Sequence, residues 1–292
     1  MIAIVTSRQW YLKCREDLFL RDALQSKGIR CEIAVWSDNN MDWNVFSLVL
    51  IRSTWDYYLH YNDFCDWLKR LKAHGVLVAN GVDRILINTD KEQQVRQLYK
   101  LQANVIPFSI WHSLKDIKYL WDEIVIKPTI SASGYNTFLF DCRMKRNCLL
   151  LNNYVHQILE SGLAVIAQPY INEIKNGEIS LVYFNGRYSH AVLRYPGIIG
   201  QKKNAVPIKK VSDSILFLGE KVCNAVGADS LLYMRVDIVE TKTMPLIMEI
   251  EITEPDLYLT LKYDSPVNPV ENFISEIQEY INHHSLRGII NE

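Results

Sequence analysis

The sequence has no strong excess of charge of either sign and no long apolar run. Its 292 residues carry 32 basic and 33 acidic side chains, which give a formal net charge of -1. This balance provides no broad electrostatic attraction to nucleic acid or to an anionic membrane surface. No apolar stretch approaches the roughly 18 residues of a membrane-spanning helix, and the first apolar run is too short for a signal peptide. We therefore expect a cytoplasmic protein without nucleic-acid or membrane partners.

Paired cysteines and the common nucleotide-binding motifs are also missing. The six cysteines are scattered, without a C-x-x-C pair or a histidine at metal-ligand spacing, so we expect reduced structural thiols. The chain contains no G-x-x-x-x-G-K-[ST] P-loop, no dinucleotide-binding glycine pattern and no protein-kinase HRD or DFG motif. Any nucleotide chemistry must use a different arrangement of residues.

Residues 1–85 alternate short apolar runs with helical patterns. The runs IAIVT, CEIAVW, FSLVLIR and GVLVAN are accompanied by helical patterns at about 15–27 and 61–73. This βαβ rhythm predicts a small parallel-sheet domain. Because 49% of the residues are hydrophobic, the chain can bury one large core or two to three small ones.

After residue 85 the pattern changes to helices mixed with paired strands. Helices are predicted from Thr89, as N-cap, to Leu101, near 113–121, around 147–161, near 212–226 and over 267–284. An Asn185-Gly186 pair between EISLVYF and RYSHAVLRY is a strong hairpin signal. We expect an α/β (α+β) fold with domains at 1–85, 86–170 and 171–292.

Two β-type runs near the C-terminus carry a group of charged residues. Alternate residues of a strand share a face, so Arg235 and Asp237 point the same way in MRVDIV, as do Glu249 and Glu251 in IMEIEI. If the runs form a hairpin, the register that places Asp237 opposite Glu249 also places Arg235 opposite Glu251. The pairing gathers three carboxylates and one guanidinium on one patch.

Such a patch suits Mg²⁺, which takes one or two carboxylates together with phosphate oxygens and water. Arg235 would then lie beside the terminal phosphate of a nucleotide, where its permanent charge offsets developing negative charge. The alternative is a solvated strand face with cross-strand ion pairs. The apolar context of both runs favours the metal, because buried carboxylates need a partner.

A lysine at the end of an apolar strand precedes a loop of small residues. Lys127 closes the run EIVIK, and Ser131, Ala132, Ser133 and Gly134 follow. The backbone N–H groups of such a loop can approach a phosphate while the ammonium group neutralises it. The alternative is an ordinary strand end and loop.

The order of these pieces resembles the ATP-grasp superfamily. Lys91 comes first, then I-K-P with its small-residue loop, then AQPYINEIKNGE, then R-V-D and finally E-I-E. In this order and spacing the chain resembles the branch that holds prokaryotic glutathione synthetases and the O-ureido-serine cyclo-ligase of cycloserine biosynthesis. The resemblance covers residues 85–260. It implies an ATP-grasp fold, in which an N-terminal parallel-sheet domain precedes two α+β subdomains that sandwich ATP.

The resemblance implies a role for each matching position. ATP phosphates would be contacted by Lys91 and Lys127, under a lid that contains Ser131, Ser133 and Gly134. The adenine hinge would consist of Gln168, Pro169, Tyr170 and Ile171, and the ribose would be held by Glu173 or Glu178. Two Mg²⁺ would be bound by Asp237, Glu249 and Glu251, with Arg235 and Lys127 as catalytic residues. The chain departs from its relatives in having Glu251 where they carry asparagine and Ser180 where they carry arginine.

The N-terminal half contains a candidate substrate site. In LVLIRSTWDYYLHY, Arg52 ends an apolar strand and is followed by Thr54, Trp55, Asp56 and Tyr57. Ligands of open α/β sheets lie beyond the strand C-termini, so Arg52 would hold a carboxylate and Asp56 an amino group. In the alternative, Asp56 is the N-cap of the next helix. The R-S-T-W-D-Y string resembles the cyclo-ligase branch, which favours substrate binding.

A polar stripe follows the predicted hairpin. Tyr188, His190 and Arg194 have the same parity in GRYSHAVLRY, which predicts that they share one strand face beside the acyl-phosphate site. Tyr188 and Arg194 are candidate substrate contacts, with Arg194 also a catalytic candidate that holds a carboxylate. His190 is a candidate acid–base or orienting group, and a structural role is its alternative.

The resemblance implies an ATP-dependent ligase that forms a C–N bond. A small amino-acid-like carboxylate would attack the γ-phosphate of ATP to give an acyl phosphate, and an amine from another molecule or the same one would displace phosphate. The predicted cofactors are ATP and two Mg²⁺, and a homodimer stays open. Two alternatives remain: a ligase that modifies a peptide or protein, and a non-catalytic nucleotide-binding regulator.

Overall fold

Three β-sheets organise the computed structural model, which describes residues 1–132, 134–195, 205–264 and 266–290, without the side chains of 285–290. One sheet is parallel and has four strands, and two are antiparallel with four and five strands. The mixed α/β fold class predicted from the sequence is confirmed. The division into domains at 1–85, 86–170 and 171–292 stays a prediction.

The N-terminal sheet contains β1 (Ile2–Thr6), β2 (Cys31–Val35), β3 (Leu48–Ser53) and β4 (Val78–Ala79) in the order β2-β1-β3-β4. All of its pairs are parallel, as the βαβ rhythm predicts. Helices α1 (Arg15–Ser26) and α2 (Tyr61–Ala73) pack on opposite faces of this sheet. The C-terminal ends of β1 and β3 therefore flank the switch point where open α/β sheets bind ligands.

Two short helices, α3 (Val82–Asn88) and α4 (Lys91–Lys100), follow this sheet. α3 has no counterpart among the predicted helices, because seven residues are too few for a clear helical repeat. Thr89, the predicted N-cap, is instead the C-cap of α3, which ends at Asn88. The N-cap of α4 is Asp90, whose Oδ1 accepts the N–H of Glu92 at 2.9 Å. This shift makes Lys91 the first residue of α4.

The second sheet contains β5 (Ser109–Trp111), β6 (Glu123–Pro128), β7 (Phe138–Asp141) and β8 (Val165–Pro169) in the order β5-β8-β6-β7. Helix α5 (Lys145–Glu160) packs its apolar side on one face of this sheet. The helix predicted near 113–121 is wrong, since only the 3₁₀ turn Leu114–Asp116 forms there. Ser113 and Asp116 close this turn by capping each other. Ile117 returns to an extended conformation, and its side chain packs against the apolar cluster formed by α5 and this sheet.

The third sheet contains β9 (Glu178–Phe184), β10 (Arg187–Arg194), β11 (Ala205–Pro207), β12 (Tyr233–Glu240) and β13 (Pro245–Glu251) in the order β11-β10-β9-β12-β13. The predicted hairpin is confirmed: Asn185 and Gly186 join β9 and β10 with φ of 44° and 73°. Both residues have the positive φ of a tight hairpin turn, which glycine adopts readily. Helix α6 (Asp213–Val226) covers one face, and α7 (Pro269–Ile290) packs on the other.

The N-terminal sheet is fixed against the ends of β12 and β13. The Tyr233 hydroxyl lies 2.8 Å from the Ile51 carbonyl and 2.9 Å from that of Thr253. Asn80 donates to the carbonyls of Tyr233 and Ile252 at 2.8 and 2.7 Å. These bonds are buried, so the C-terminal ends of β1 and β3 are held beside the charged hairpin.

Candidate active site

Three carboxylates and one guanidinium meet on the β12–β13 hairpin. Asp237 pairs with Glu249 and Arg235 pairs with Glu251, so the register predicted from strand parity is confirmed. One oxygen each of Asp237, Glu249 and Glu251 lies within 4.8 Å of the others. Asp237 is buried, and the two glutamates are half-buried. We call these three residues the acidic patch.

Asp237 is fixed by four hydrogen bonds. Its Oδ1 accepts from Ser180 Oγ at 2.6 Å and from Arg235 Nε at 2.9 Å. Its Oδ2 accepts from Arg194 Nη2 at 2.8 Å and from Arg235 Nη2 at 2.9 Å. Burial raises the pKa of Asp237, but the charges of Arg194 and Arg235 outweigh burial and hold this pKa well below its usual value. Asp237 is therefore a fixed anion.

Two lysines from other elements face Glu249. Lys91, at the start of α4, donates its Nζ to Glu249 Oε1. Burial raises the pKa of Glu249, but Lys91 and Lys127 lower it by more, so this carboxyl stays ionised. Burial also lowers the pKa of Lys127, at the end of β6, to about 8. The two predicted phosphate-binding lysines thus meet the acidic patch.

The acidic patch fits a divalent cation. Burial raises the pKa of Glu251, and the charge of Arg235, whose Nη2 lies 2.9 Å from Glu251 Oε1, does not fully offset it. The carboxylates of Glu249 and Asp237 raise this pKa further. A cation would hold all three groups ionised, and carboxylate oxygens are the ligands that Mg²⁺ prefers.

The predicted lid follows β6 and contacts the N-terminal part of the chain. Ser131 is buried and donates its Oγ to a carbonyl of β6 at 3.3 Å, while Gly134 has a φ of +74°. The next ring, Tyr135, packs on Tyr58 with centroids 4.6 Å apart. Ser133 lies outside the described residues.

The predicted adenine hinge lies at the end of β8, beside Lys127. Lys127 pairs with Ile166 on β8, two positions before Gln168. Pro169 ends the strand, and the Tyr170 N–H donates to a β6 carbonyl at 3.0 Å. The backbone of the hinge is thus positioned by the same strand that carries the lysine.

The two candidate ribose carboxylates lie on either side of a short turn. Ile171 precedes the 3₁₀ turn Asn172–Asn176, which contains Glu173 in a half-buried position. Glu178 starts β9 and forms an ion pair with Arg194. Burial raises the pKa of Glu178 more than Arg194 lowers it, and Asp237 raises it further. Glu178 therefore borders the acidic patch.

Arg52 is buried at the end of β3, where it binds the loop after β13. Its Nη2 donates to Glu16 Oε1 at 2.6 Å and to the Pro255 carbonyl at 2.9 Å. Glu16 also accepts the N–H groups of Leu257 and Leu259 at 3.0 and 2.8 Å. Within the described ranges, Nε and Nη1 of Arg52 have no hydrogen-bond partner. Two buried donors are thus available to a ligand.

The residues after Arg52 form contacts of different kinds. Thr54 is fully buried, and no described residue pairs with its Oγ1. Trp55 Nε1 donates to the Glu254 carbonyl at 3.1 Å. Asp56 occupies the N-cap position of the 3₁₀ turn Tyr57–His60 without capping it, because its Oδ1 accepts from Trp36 Nε1 at 2.8 Å.

Tyr57 connects this segment with the acidic patch. Its side chain is buried, and burial raises the pKa of its hydroxyl well above the usual value. The carboxylates of Glu254, Glu249 and Glu251 raise this pKa further. The predicted substrate segment and the predicted metal ligands are therefore neighbours.

The predicted polar stripe on β10 is interrupted by a bulge. The pairing of β9 and β10 shifts between Tyr188 and His190. The Tyr188 ring packs on Tyr183, centroids 5.8 Å apart, whereas the His190 ring faces Phe184 at 6.1 Å. Because Tyr183 and Phe184 are consecutive, these rings lie on opposite sheet faces. The shared face predicted for Tyr188 and His190 is wrong, and Tyr188 lies on the face opposite the acidic patch.

His190 is buried with both ring nitrogens hydrogen-bonded. Its Nε2 donates to the Leu257 carbonyl at 2.8 Å, so Nδ1 is the nitrogen that accepts from Ser189 Oγ at 2.9 Å. Burial lowers its pKa to about 4. Neither nitrogen is free to move a proton in this arrangement. The geometry supports a packing role for His190 rather than acid–base chemistry.

The buried neutral imidazole of His190 predicts a loss of stability in acid. Because its folded-state pKa lies below the usual value, the unfolded chain gains a proton first as the pH falls through the range from 6.5 to 4. Between pH 7.5 and 5 this group is expected to lower the free energy of unfolding by about 2 kcal/mol. Urea unfolding at both pH values measures this loss of free energy, and the His190→Gln variant should lack the part of the pH dependence that comes from the imidazole. An equal slope in both proteins would contradict the assignment.

Two side-chain amides that were not predicted from the sequence hydrogen-bond to the edge of β13. Asn88 Nδ2 and Gln94 Nε2 donate to the Ile250 carbonyl at 2.8 and 2.7 Å. Gln94 Oε1 accepts the Ile250 N–H at 3.4 Å, and Asn88 Oδ1 accepts that of Ile252 at 3.1 Å. Ile250 lies between Glu249 and Glu251, so these amides position both glutamates. No local sequence pattern could have identified them, because their partners lie more than 150 residues away.

Comparison with known families identifies the class of this chain. Residues 94–262, more than half of the sequence, match the family described as prokaryotic glutathione synthetase, ATP-grasp domain. The chain belongs to this ATP-grasp family. Residues 2–80 match the family described as D-cycloserine synthetase DcsG, N-terminal domain. The predicted resemblance and the predicted enzyme class, an ATP-dependent ligase, are confirmed.

Individual relatives agree with the ATP-grasp assignment. The chain is 25% identical over 278 residues to the cycloserine biosynthesis protein DcsG of Streptomyces lavendulae, covering 84% of this chain and 88% of that protein. The crystal structure of D-cycloserine synthetase DcsG superposes with a TM-score of 0.81 at 23% identity, covering 96% and 99% of the two chains. The D-alanine–D-alanine ligase of Bacillus anthracis complexed with ATP gives 0.71 at 14% identity, covering 98% and 97%. These superpositions confirm the predicted ATP-grasp fold.

Within the described ranges, no helix of this ATP-grasp chain combines the length and apolar character needed to cross a bilayer. The cytoplasmic location and the homodimer stay predictions.

Proposed function

We propose that this ATP-grasp chain joins a small amino-acid-like carboxylate to an amine, in the same or a second molecule, through an acyl phosphate. One observation carries the proposal: Asp237, Glu249 and Glu251 converge on the face where Arg235, Lys91 and Lys127 also meet. Carboxylates and cationic side chains placed side by side in this way suit a metal-bound triphosphate whose terminal phosphoryl group is transferred. The names of two relatives, a D-cycloserine synthetase and a D-alanine–D-alanine ligase, support a small amino-acid-like substrate.

ATP would lie between β6 and β8 on one side and the acidic patch on the other. Lys91 and Lys127 would contact its phosphates, and the backbone from Gln168 to Ile171 would read the adenine edge. The loop with Ser131, Ser133 and Gly134 would cover the phosphates. One of Glu173 and Glu178 would bind the ribose, and the two are separated by the short turn before β9.

Asp237, Glu249 and Glu251 would hold two Mg²⁺, which supply positive charge that neutralises and orients the phosphate oxygens. In the first step, a substrate carboxylate oxygen forms a bond to the γ-phosphorus, and the bond from that phosphorus to the ADP oxygen breaks. Arg235 stabilises the transferring phosphoryl group. In the second step, the amine nitrogen bonds to the carbonyl carbon, phosphate leaves with the carboxylate oxygen, and the amine proton passes to solvent.

The substrate would bind where the ends of β1 and β3 meet the loop after β13. Three residues there have buried polar atoms without described partners. These atoms are Nε and Nη1 of Arg52, Oγ1 of Thr54, and Oγ of Ser7, which directly follows β1. Buried polar groups are normally paired, so unpaired ones beside a reaction centre suit a polar ligand. Arg194, whose buried Nε has no partner among the described residues, donates to Asp237 and would hold a carboxylate. Trp55, Asp56 and Tyr57 would complete the pocket wall.

A screen for ADP release tests this function. The purified protein is incubated with Mg-ATP, hydroxylamine as trap, and single amino acids or short peptides. A small acid should give both ADP and its hydroxamate, which identifies the activated carboxylate. ATP binding without ADP formation for every acid would instead favour a nucleotide-binding regulator, and turnover with peptides alone would favour a peptide-modifying ligase.

Replacing Thr54 by valine separates substrate binding from stability. Because the hydroxyl is buried without a described partner, its removal should raise the free energy of unfolding by about 1 kcal/mol. The lost bond to substrate should raise KM for the acid about tenfold, while the Kd for ATP stays unchanged.

Thr6→Val is the matched control for this substitution. Thr6 Oγ1 lies 2.6 Å from Ser53 Oγ, so its loss should lower stability. An unchanged KM in Thr54→Val would remove Thr54 from the substrate pocket, and a weaker ATP complex would move it to the nucleotide site. Urea unfolding, steady-state kinetics and calorimetry give the three quantities.

A further inference from the structure

A cavity of about 470 Å³ lies behind the acidic patch, on the opposite side of β13. Its floor consists of Leu98 on α4, Leu231, Ile250 and Ile252, all of which are buried. Glu249 and Glu251 point to one face of β13, so Ile250 between them points to the other. The volume falls within the range of about 300 to 1,000 Å³ that is usual for small-molecule sites. None of the predicted site residues lines this cavity.

One wall of the cavity carries a fixed positive charge. Among the described residues that line it, Arg84 is the only charged one. Arg84 Nη1 donates to the Val226 carbonyl at the end of α6, and its Nη2 lies 3.4 Å from Ser230 Oγ. The last carbonyls of a helix attract a cation, which explains why the guanidinium is held there. These two bonds use two of its five N–H groups, so donors remain for an anion.

The cavity is connected to the acidic patch through short contacts. Gln94, in its wall, bonds both the N–H and the carbonyl of Ile250. One helical turn before Gln94, Lys91 donates to Glu249. A ligand packed between Leu98 and Ile250 would therefore press on the two elements whose relative position sets the Lys91–Glu249 contact.

We propose that this cavity binds a small organic anion with an apolar body, and that its occupancy changes the rate of the reaction at the acidic patch. The apolar body lies on Leu98, Ile250 and Ile252, and the anionic group meets Arg84. The binding half stands independently of the catalytic assignment, whereas the rate half rests on the proposed function.

Binding is tested with the fluorescent probe 1-anilinonaphthalene-8-sulfonate, which combines an apolar ring system with one sulfonate. The titration contains saturating Mg²⁺ and a non-hydrolysable ATP analogue, so that the nucleotide site is filled. One probe per chain should bind. Ala225→Trp, at an exposed wall position, should fill the cavity and weaken binding at least tenfold, and Arg84→Gln should weaken it several-fold.

Arg96→Gln is the matched control, because Arg96 is exposed on α4, pairs with Glu92 and does not line the cavity. It should bind the probe as the parent does, and thermal unfolding checks that all variants are folded. The site would be overturned if the parent did not bind the probe, or if Ala225→Trp and Arg84→Gln bound it with the same affinity as the parent.

The rate half is tested by the initial rate of ADP formation at saturating probe. The rate should change at least twofold in the parent and stay constant in Ala225→Trp. Site-dependent binding without a rate change in the parent would overturn the connection to the acidic patch. If no acid supports ADP formation, the titration still decides the binding half, so failure of the proposed function is distinguishable from failure of the site.

Discussion

Glu249→Gln is expected to lower the rate of ADP formation about a thousandfold while the protein stays folded. Glu249 is the acidic-patch residue that faces both lysines, Lys91 and Lys127. An amide keeps the size of the side chain but removes the charge that binds a metal. The effect should therefore appear mainly in kcat, and it is measured by a coupled ADP assay with the acid identified by hydroxamate trapping.

The control for this substitution lies on the partner strand. Glu240 is an exposed carboxylate at the far end of β12, so Glu240→Gln removes one negative charge from the same hairpin without touching the acidic patch. It should retain parent activity. Normal turnover by Glu249→Gln with the same acid would show that the metal assignment is wrong.

Lys127→Met is expected to weaken ATP binding by about 10- to 100-fold, the usual effect of losing one or two charge-assisted hydrogen bonds. Methionine keeps the apolar stem of the lysine, so β6 should remain in place. Calorimetry with a non-hydrolysable ATP analogue measures the Kd. Lys118→Met, at an exposed position in the same part of the chain, is the control and should bind as the parent does.

The same lysine predicts a pH dependence of ATP binding. Burial lowers the pKa of Lys127 to about 8, so the side chain loses its charge as the pH rises through this value. Affinity for the ATP analogue should fall between pH 7 and 9 in the parent, and the profile of Lys127→Met should be flatter. Equal affinity of parent and Lys127→Met at pH 7 would remove this lysine from the phosphate site.

The acidic patch could be predicted because strand geometry is local. A period of two fixes which residues share a face, so any register that pairs Asp237 with Glu249 also pairs Arg235 with Glu251. The hairpin at Asn185 followed from turn chemistry in the same way. The prediction that Lys91 and Lys127 belong to the site depended on the order of motifs along the chain, because no local pattern shows that α4 and β6 meet β13.

Features that depend on irregularity or on distant contacts could not be predicted. The bulge before His190 turned Tyr188 to the other face, and a parity argument assumes that no bulge exists. The helix predicted near 113–121 ended after one turn, once Ser113 and Asp116 capped each other. The edge bonds of Asn88 and Gln94 join residues that only tertiary packing brings together.

Oxygen transfer from the substrate acid to phosphate tests the proposed reaction most directly. The acid identified by the screen is labelled with ¹⁸O in its carboxylate and incubated with the protein, Mg-ATP and the amine. If an acyl phosphate forms, the released phosphate should contain one ¹⁸O atom, measured by mass spectrometry or by the ³¹P isotope shift. Unlabelled phosphate, or label in AMP, would contradict activation at the γ-phosphate.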